Sequence, residues 1–217
     1  MEETMENIEQ TIDNFFRKRF NIKDNYIASR YTNNDRAYYD VEFIKKYINQ
    51  MSRILDLGCG TGILEEPLAP LVANIVGVDK YQEFIDRAFQ APNIQYIASS
   101  FKDLQLEGNF DLILLFGLTM YLSDEELLDL FAKVSNVMGK NSAFIIKNQF
   151  GINEEVIVNN FSDNLQCFYY AKYRKLADMC KMIINSGFSC EVIDIYPAYI
   201  NKYDNTHEYA LVLRKEK

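Results

Sequence analysis

One stretch constrains this chain more than any other: Ile54-Leu55-Asp56-Leu57-Gly58-Cys59-Gly60-Thr61-Gly62. Apolar residues lead through an acid into three glycines at every second position. A buried strand that ends in a Gly-rich turn and leads into a helix is how α/β proteins grip an adenosine-bearing cofactor. The glycines lack Cβ, so the chain can turn tightly and a ligand can lie against the main chain.

The spacing narrows the cofactor. A dinucleotide fingerprint counted from Gly58 requires glycine at position 63, where Ile63 stands. No Gly-Lys-Ser/Thr follows the turn, which excludes a P-loop. A site without a pyrophosphate needs close backbone approach and polar partners rather than a helix N-terminus. The Asp56–Gly62 segment resembles motif I of the class I S-adenosylmethionine (SAM)-dependent methyltransferases.

Later segments extend the resemblance over roughly residues 50–150. Ala73–Asp79 reads as a second strand ending in an acid, and Asp79 lies 17 positions after Gly62. That is close to the spacing of a ribose-binding carboxylate. The resemblance implies that Lys80 backs the adenine with its stem. It also implies that Ser100 and the backbone of Phe101, after a third strand at residues 94–98, line the adenine. Many relatives carry an Asp where Ser100 stands. Phe110–Phe116 is a fourth strand, and Phe116-Gly117 would sit beside the methionine part of the cofactor. Asp56, Gly58, Gly60, Gly62, Asp79, Lys80, Ser100, Phe101, Phe116 and Gly117 are thus the expected cofactor residues. Tyr31 and Arg36, from a cap that closes over the cofactor in relatives, are candidates for its carboxylate.

The expected fold is α/β: a Rossmann-like, seven-stranded, mostly parallel sheet with strand seven antiparallel, helices on both faces and an N-terminal helical cap. With 217 residues, 48% of them hydrophobic, the chain is expected to form a single domain. Within it, residues 1–50 would form the cap, 51–150 the SAM-binding half and 151–217 the acceptor-side half. Residues 5–20 and 40–48 read as helices, Ser123 as a helix cap, and 143–147 as strand five. Residues 172–186 read as a helix stopped by Gly187. Strands six and seven are placed at 191–196 and 208–213.

Composition excludes some classes. The net charge is −8 and there is no basic block, which argues against a nucleic-acid partner. No apolar run reaches 18 residues, so no membrane span is expected. The acidic first residues lack a signal-peptide core, and Cys59, Cys167, Cys180 and Cys190 show no metal-like spacing. A cytoplasmic protein without a metal site is the expectation.

Methyl transfer requires the acceptor to be held in line with the donor and, for a hydroxyl, its proton to be removed. His207, the sole histidine, lies at the end of the 197–207 loop on the expected active-site side and is a candidate base. Tyr121, just after strand four, is a candidate acceptor-facing residue. The Asn-Pro-Pro-Tyr motif of base and glutamine-amide methylation is missing after strand four. Aromatic and cationic residues at 168–175, Lys172 and Arg174 among them, could form a pocket wall suited to a sugar, phosphate or carboxylate. The resemblance is to bacterial small-molecule or carbohydrate methyltransferases. It implies SAM as cofactor, S-adenosylhomocysteine (SAH) as product, and a small-molecule or carbohydrate acceptor such as a surface-polysaccharide precursor. A SAM-binding regulatory module without chemistry and a protein methyltransferase remain open at this point.

Overall fold

A computed structural model describes residues 5–31, 34–163 and 165–216. A helix α1 (Met5–Arg19), a short turn α2 (Asn25–Ala28) and α3 (Asn34–Ile44) form the N-terminal cap. Then follow β1 (Arg53–Leu57), α4 (Glu65–Leu68), β2 (Asn74–Asp79), α5 (Gln82–Ile85), β3 (Ile94–Ala98) and β4 (Phe110–Phe116). The second half holds α6 (Asp124–Val137), β5 (Met138–Gly151), β6 (Val156–Ser162), β7 (Cys167–Tyr173), α7 (Leu176–Asn185), β8 (Phe188–Ile193) and β9 (Thr206–Lys215).

Seven strands form one sheet in the order β3-β2-β1-β4-β5-β9-β8, and β9 runs antiparallel to both its neighbours. The expected fold class is the one observed. The order reverses between β1 and β4, and the C-terminal ends of these strands open a crevice where a ligand can sit.

Period-two alternation divides the core between the two faces. Leu55, Leu57, Ile113 and Leu115 pack with α6 and α7 through Leu127, Leu130, Phe131, Met179 and Ile183. Ile54, Leu112 and Leu114 pack on the other face with Val41 and Ile44 of α3 and with Leu64 and Leu68. A strand covered on both faces is apolar throughout, which is why β4 reads Leu-Ile-Leu-Leu in its middle. Helix α6 starts at a reciprocal capping box: the Ser123 hydroxyl accepts from Glu126 N–H, and the Glu126 carboxylate accepts from Ser123 N–H.

The segment before α7 departs from expectation. Lys172 and Tyr173 belong to strand β7 rather than to a helix, and α7 begins at Leu176. Residues 167–173 pair antiparallel with 156–162 as a separate two-stranded hairpin. The aromatic-rich Cys167–Tyr173 sequence favours the strand, and its alternation buries Ala171 and Tyr173 on one side. Among the described residues, no helix is long and apolar enough to cross a membrane.

Phe131 is 1% exposed and meets Phe144 and Phe188 edge-on, with centroids 6.1 and 6.3 Å apart. Phe131→Ala should cost about 3–5 kcal/mol. In calorimetry that corresponds to a fall in Tm of roughly 6 °C or more.

Candidate cofactor and acceptor site

The turn after β1 is built from backbone. Gly58 (φ +88°) and Gly60 (φ +55°) occupy the left-handed region that glycine enters freely. A Cβ on Gly58 would overlap the Leu118 side chain, and one on Gly60 would lie 2.7 Å from the Ser29 hydroxyl oxygen. The amides of Gly58 and Cys59 both donate to the carbonyl of Val78, at 2.6 and 3.0 Å. Gly60 N–H then donates to Asp79 Oδ2 at 2.9 Å, and Tyr81 N–H to Asp79 Oδ1 at 2.9 Å. Each carboxylate oxygen therefore spends one lone pair on the main chain and keeps another. Asp79 is 8% exposed. Burial pushes its pKa up to about 6, opposed by the backbone N–H groups around it.

The cap is stitched onto this turn. Ser29 Oγ accepts from Thr61 N–H at 3.0 Å and shares a 2.7 Å bond with the Thr61 hydroxyl. Helix α1 lies across the crevice. Phe16 packs on Tyr81 and Tyr121, and Asp13 accepts from the Tyr81 hydroxyl at 3.0 Å. Beneath it is a cavity of about 130 Å³, lined by Ser29, Arg30, Gly58, Gly60, Asp79 and Gly117 among others. Small-molecule sites commonly span roughly 300–1,000 Å³, so admitting a nucleoside-sized ligand requires the cap to shift.

The far wall of the cavity is polar and paired. Asp40, fully buried, accepts from Lys147 Nζ at 2.7 Å, from the Tyr196 hydroxyl at 2.6 Å and from the Tyr31 hydroxyl at 2.9 Å. The Lys147 ammonium also lies 5.0 Å from the Phe116 ring centroid and 5.2 Å from that of Tyr31. Arg36 forms a bidentate ion pair with Glu208. Burial and the Asp40 charge hold the Tyr31 and Tyr196 hydroxyls well above the usual tyrosine pKa, so both stay protonated donors.

Comparison with known proteins agrees with this geometry. Residues 54–141 match the family model of a methyltransferase domain. The chain is 33% identical over 98 residues to the ubiquinone biosynthesis O-methyltransferase of Pelagibacter ubique, covering 43% of this chain and 40% of that one. It is 42% identical over 81 residues to the enzyme of the same name from Bartonella tribocorum, covering 35% and 33%. The solved structure of the DhpI–SAH complex superposes with a TM-score of 0.76 at 17% identity, over 99% of this chain and 100% of that chain. Residues 54–141 thus carry a methyltransferase-family domain, and the chain as a whole shares the fold of the DhpI–SAH complex. The chain spans about 40% or less of the length of these curated relatives.

The residues present fit that family's cofactor. Asp79 offers two spare acceptor positions, as a ribose diol requires, beside a turn whose glycines leave the main chain bare. Of the expected cofactor residues, the structure brings Tyr31, Arg36, Gly58, Gly60, Asp79, Phe116 and Gly117 to the cavity wall. Asp56 lines a small adjoining space with Tyr31 and Ser29. It is 4% exposed, and burial lifts its pKa to about 7. Glu65 is buried against Asp56, and burial together with the Asp56 charge holds it well above the usual range.

Other expected residues are placed elsewhere. Gly62 faces Tyr96 and the Phe89 backbone rather than the cavity. Lys80 is exposed and pairs with Asp13 of α1 at 3.5 Å. Ser100 closes a local turn on Asp103 at 2.6 Å, and Phe101 packs against the core. Tyr121 lies under Arg30 and Phe16, its hydroxyl buried without a hydrogen-bond partner among the described residues. The register of β9 puts Glu208 on the cavity wall. His207, one residue earlier, projects to the opposite face, stacks on Tyr209 and holds Asp194 at 2.8 Å and Asn201 at 3.0 Å. Lys172 is engaged by Asp124 and Glu155, and Arg174 by Asp124 and two carbonyls, so neither is free to meet a ligand.

Sequence reasoning missed Ser29, Arg30, Lys147, Gln149 and Glu208 as wall residues. Lys147 carried a usable signal, since a charge ending the buried Ala143–Ile146 run needs a reason to be there.

Asp79→Ala should weaken SAM binding at least tenfold, or about 1.4 kcal/mol or more, by calorimetric titration. Binding to the native chain should also weaken as pH falls through about 6, because the protonated acid loses an acceptor. The Asp79→Ala variant should lose most of that pH dependence.

Proposed function

We propose that this chain transfers the methyl group of SAM to an oxygen of a small polar acceptor, a metabolite or sugar derivative, by in-line displacement. The observation that carries the reading is the Asp79 carboxylate. It is fixed by Gly60 and Tyr81 N–H at the mouth of a capped cavity and retains an open lone pair on each oxygen. Bound SAM would supply a methyl already activated on a sulfonium. What this chain contributes is placement: Asp79 for the ribose, the Gly58–Gly60 main chain for the amino-acid end, and Phe116-Gly117 beside the donor. Holding an acceptor at about 3–3.5 Å from the donor carbon is itself a large part of the rate. The cap keeps water from the site.

The similarity to ubiquinone biosynthesis O-methyltransferases favours oxygen as the accepting atom. In this reading His207 secures the start of β9 and its preceding loop through Asp194 and Asn201.

The test is transfer of labelled methyl from SAM into an extract separated into small molecules, carbohydrate and protein, with Asp79→Ala as control. Label in the small-molecule or carbohydrate fraction, lost in the variant, is expected. Label in protein would overturn the acceptor class. No label with SAM demonstrably bound would favour a binding module without chemistry. His207→Ala should change turnover by less than about threefold. A loss of roughly 10²-fold or more would make it the general base.

A further inference from the structure

Three cations stand at the cavity wall, and two of them are neutralised. Lys147 has Asp40, and Arg36 has Glu208. Arg30 has no carboxylate within ion-pair distance among the described residues. It lies in a chain whose net charge is −8, so the absence of an acidic partner is not for want of acids.

The fold holds this side chain in place. Arg30 adopts φ +68°, a left-handed conformation uncommon outside glycine. The turn is closed by Arg30 N–H to Ile27 O and Tyr31 N–H to Tyr26 O, and Ser29 is pinned to Thr61. The guanidinium then lies 5.1 Å from the Tyr169 ring centroid and 5.6 Å from those of Phe15 and Tyr121. It donates from Nη2 to the Tyr169 hydroxyl at 3.0 Å and from Nη1 to the weak acceptor Met120 Sδ at 3.7 Å. A guanidinium carries five N–H groups, and the partners it has here, Tyr169, Met120 and the nearby Tyr173 hydroxyl, are all neutral. Beside it the Tyr121 hydroxyl is buried without a hydrogen-bond partner among the described residues. An aromatic collar that positions a guanidinium without neutralising it is suited to a planar or tetrahedral oxyanion, which a fork of N–H groups can grip bidentately.

Resting on the methyltransferase reading above, we propose that Arg30 recognises the acceptor, and that the acceptor carries an anionic oxygen group of the phosphate, phosphonate or carboxylate type. Arg30 reaches the cavity beside Met120, which follows the end of β4, and beside Tyr169 of the β6–β7 hairpin. The contacts of its side chain run to Phe15, Met120, Tyr121 and Tyr169, whereas Asp79 takes its donors from Gly60 and Tyr81. The hairpin thereby gains a role in holding Arg30 through Tyr169.

The test uses the full chain saturated with SAH. Inorganic phosphate, methylphosphonate, acetate and the neutral trimethyl phosphate are titrated by calorimetry into the native protein and the R30Q, R30K and Y169F variants. SAH affinity is measured separately for each, and melting curves confirm folding. At least one anion should bind the native protein while trimethyl phosphate does not. Binding should weaken tenfold or more in R30Q, less in R30K and several-fold in Y169F, with SAH affinity within threefold throughout. The anion bound most tightly identifies the group. No anion binding to the SAH-loaded protein, or equal binding by R30Q, would overturn the proposal. An R30Q loss of SAH affinity matching its loss of anion affinity would reassign Arg30 to the cofactor's carboxylate and overturn it too. Failure of the native protein to bind SAH would instead overturn the methyltransferase reading on which it rests.

Discussion

The site depends on one carboxylate at the end of the second strand. Asp79 takes N–H donors from the turn after β1 and from the start of the next turn. It therefore fixes the relative position of two loops that strand pairing alone leaves undefined. The Val78 carbonyl does the same one residue earlier by accepting from Gly58 and Cys59. Two adjacent residues of β2 thus shape a turn that belongs to β1. The glycines permit the path, and β2 selects it. Everything built above, including the contact of Ser29 with Thr61 and the seat of the cap, inherits this geometry.

The fold was legible because its signals are local and redundant. Apolar strands, a glycine turn, an acid at a fixed offset and a capping box each specify their own element, and they occur in the order a doubly wound sheet requires. The 167–173 hairpin strand was less legible. Its aromatic alternation competes with a plausible helical reading, and the pairing with 156–162 that decides the matter is tertiary. That Gly58, Gly60 and Asp79 share one cavity wall was readable from motif spacing for the same reason as the fold. The charged residues across the cavity were not. Arg30 and Glu208 come from segments 178 residues apart in the sequence. Whether a charge there is free or paired depends on partners such as Asp40 and Lys147 that no local pattern brings together.

His207 shows how little separates a candidate from a wall residue. Its loop reaches the expected side of the sheet, yet one step of strand alternation puts Glu208 on the cavity and His207 on the opposite face. Residue type and loop position suggested the histidine. Register decided otherwise, and register in β9 is set by its pairing with β5, from Phe144 opposite Leu213 to Gly151 opposite Thr206.

The acids beneath the glycine turn carry a final consequence. Asp56, Glu65 and Asp79 are all nearly excluded from solvent, and burial first, joined by the Asp79 charge for Asp56 and by the Asp56 charge for Glu65, raises their affinity for protons. Without a ligand, that cluster relieves itself by holding protons. A cationic group brought alongside would relieve it instead, favouring the ionised carboxylates. SAM carries such charge on its sulfonium, and SAH does not. Arg30 lies apart from this cluster with no acid of its own, so the cavity is negative where a cation must enter and positive where we place an anion.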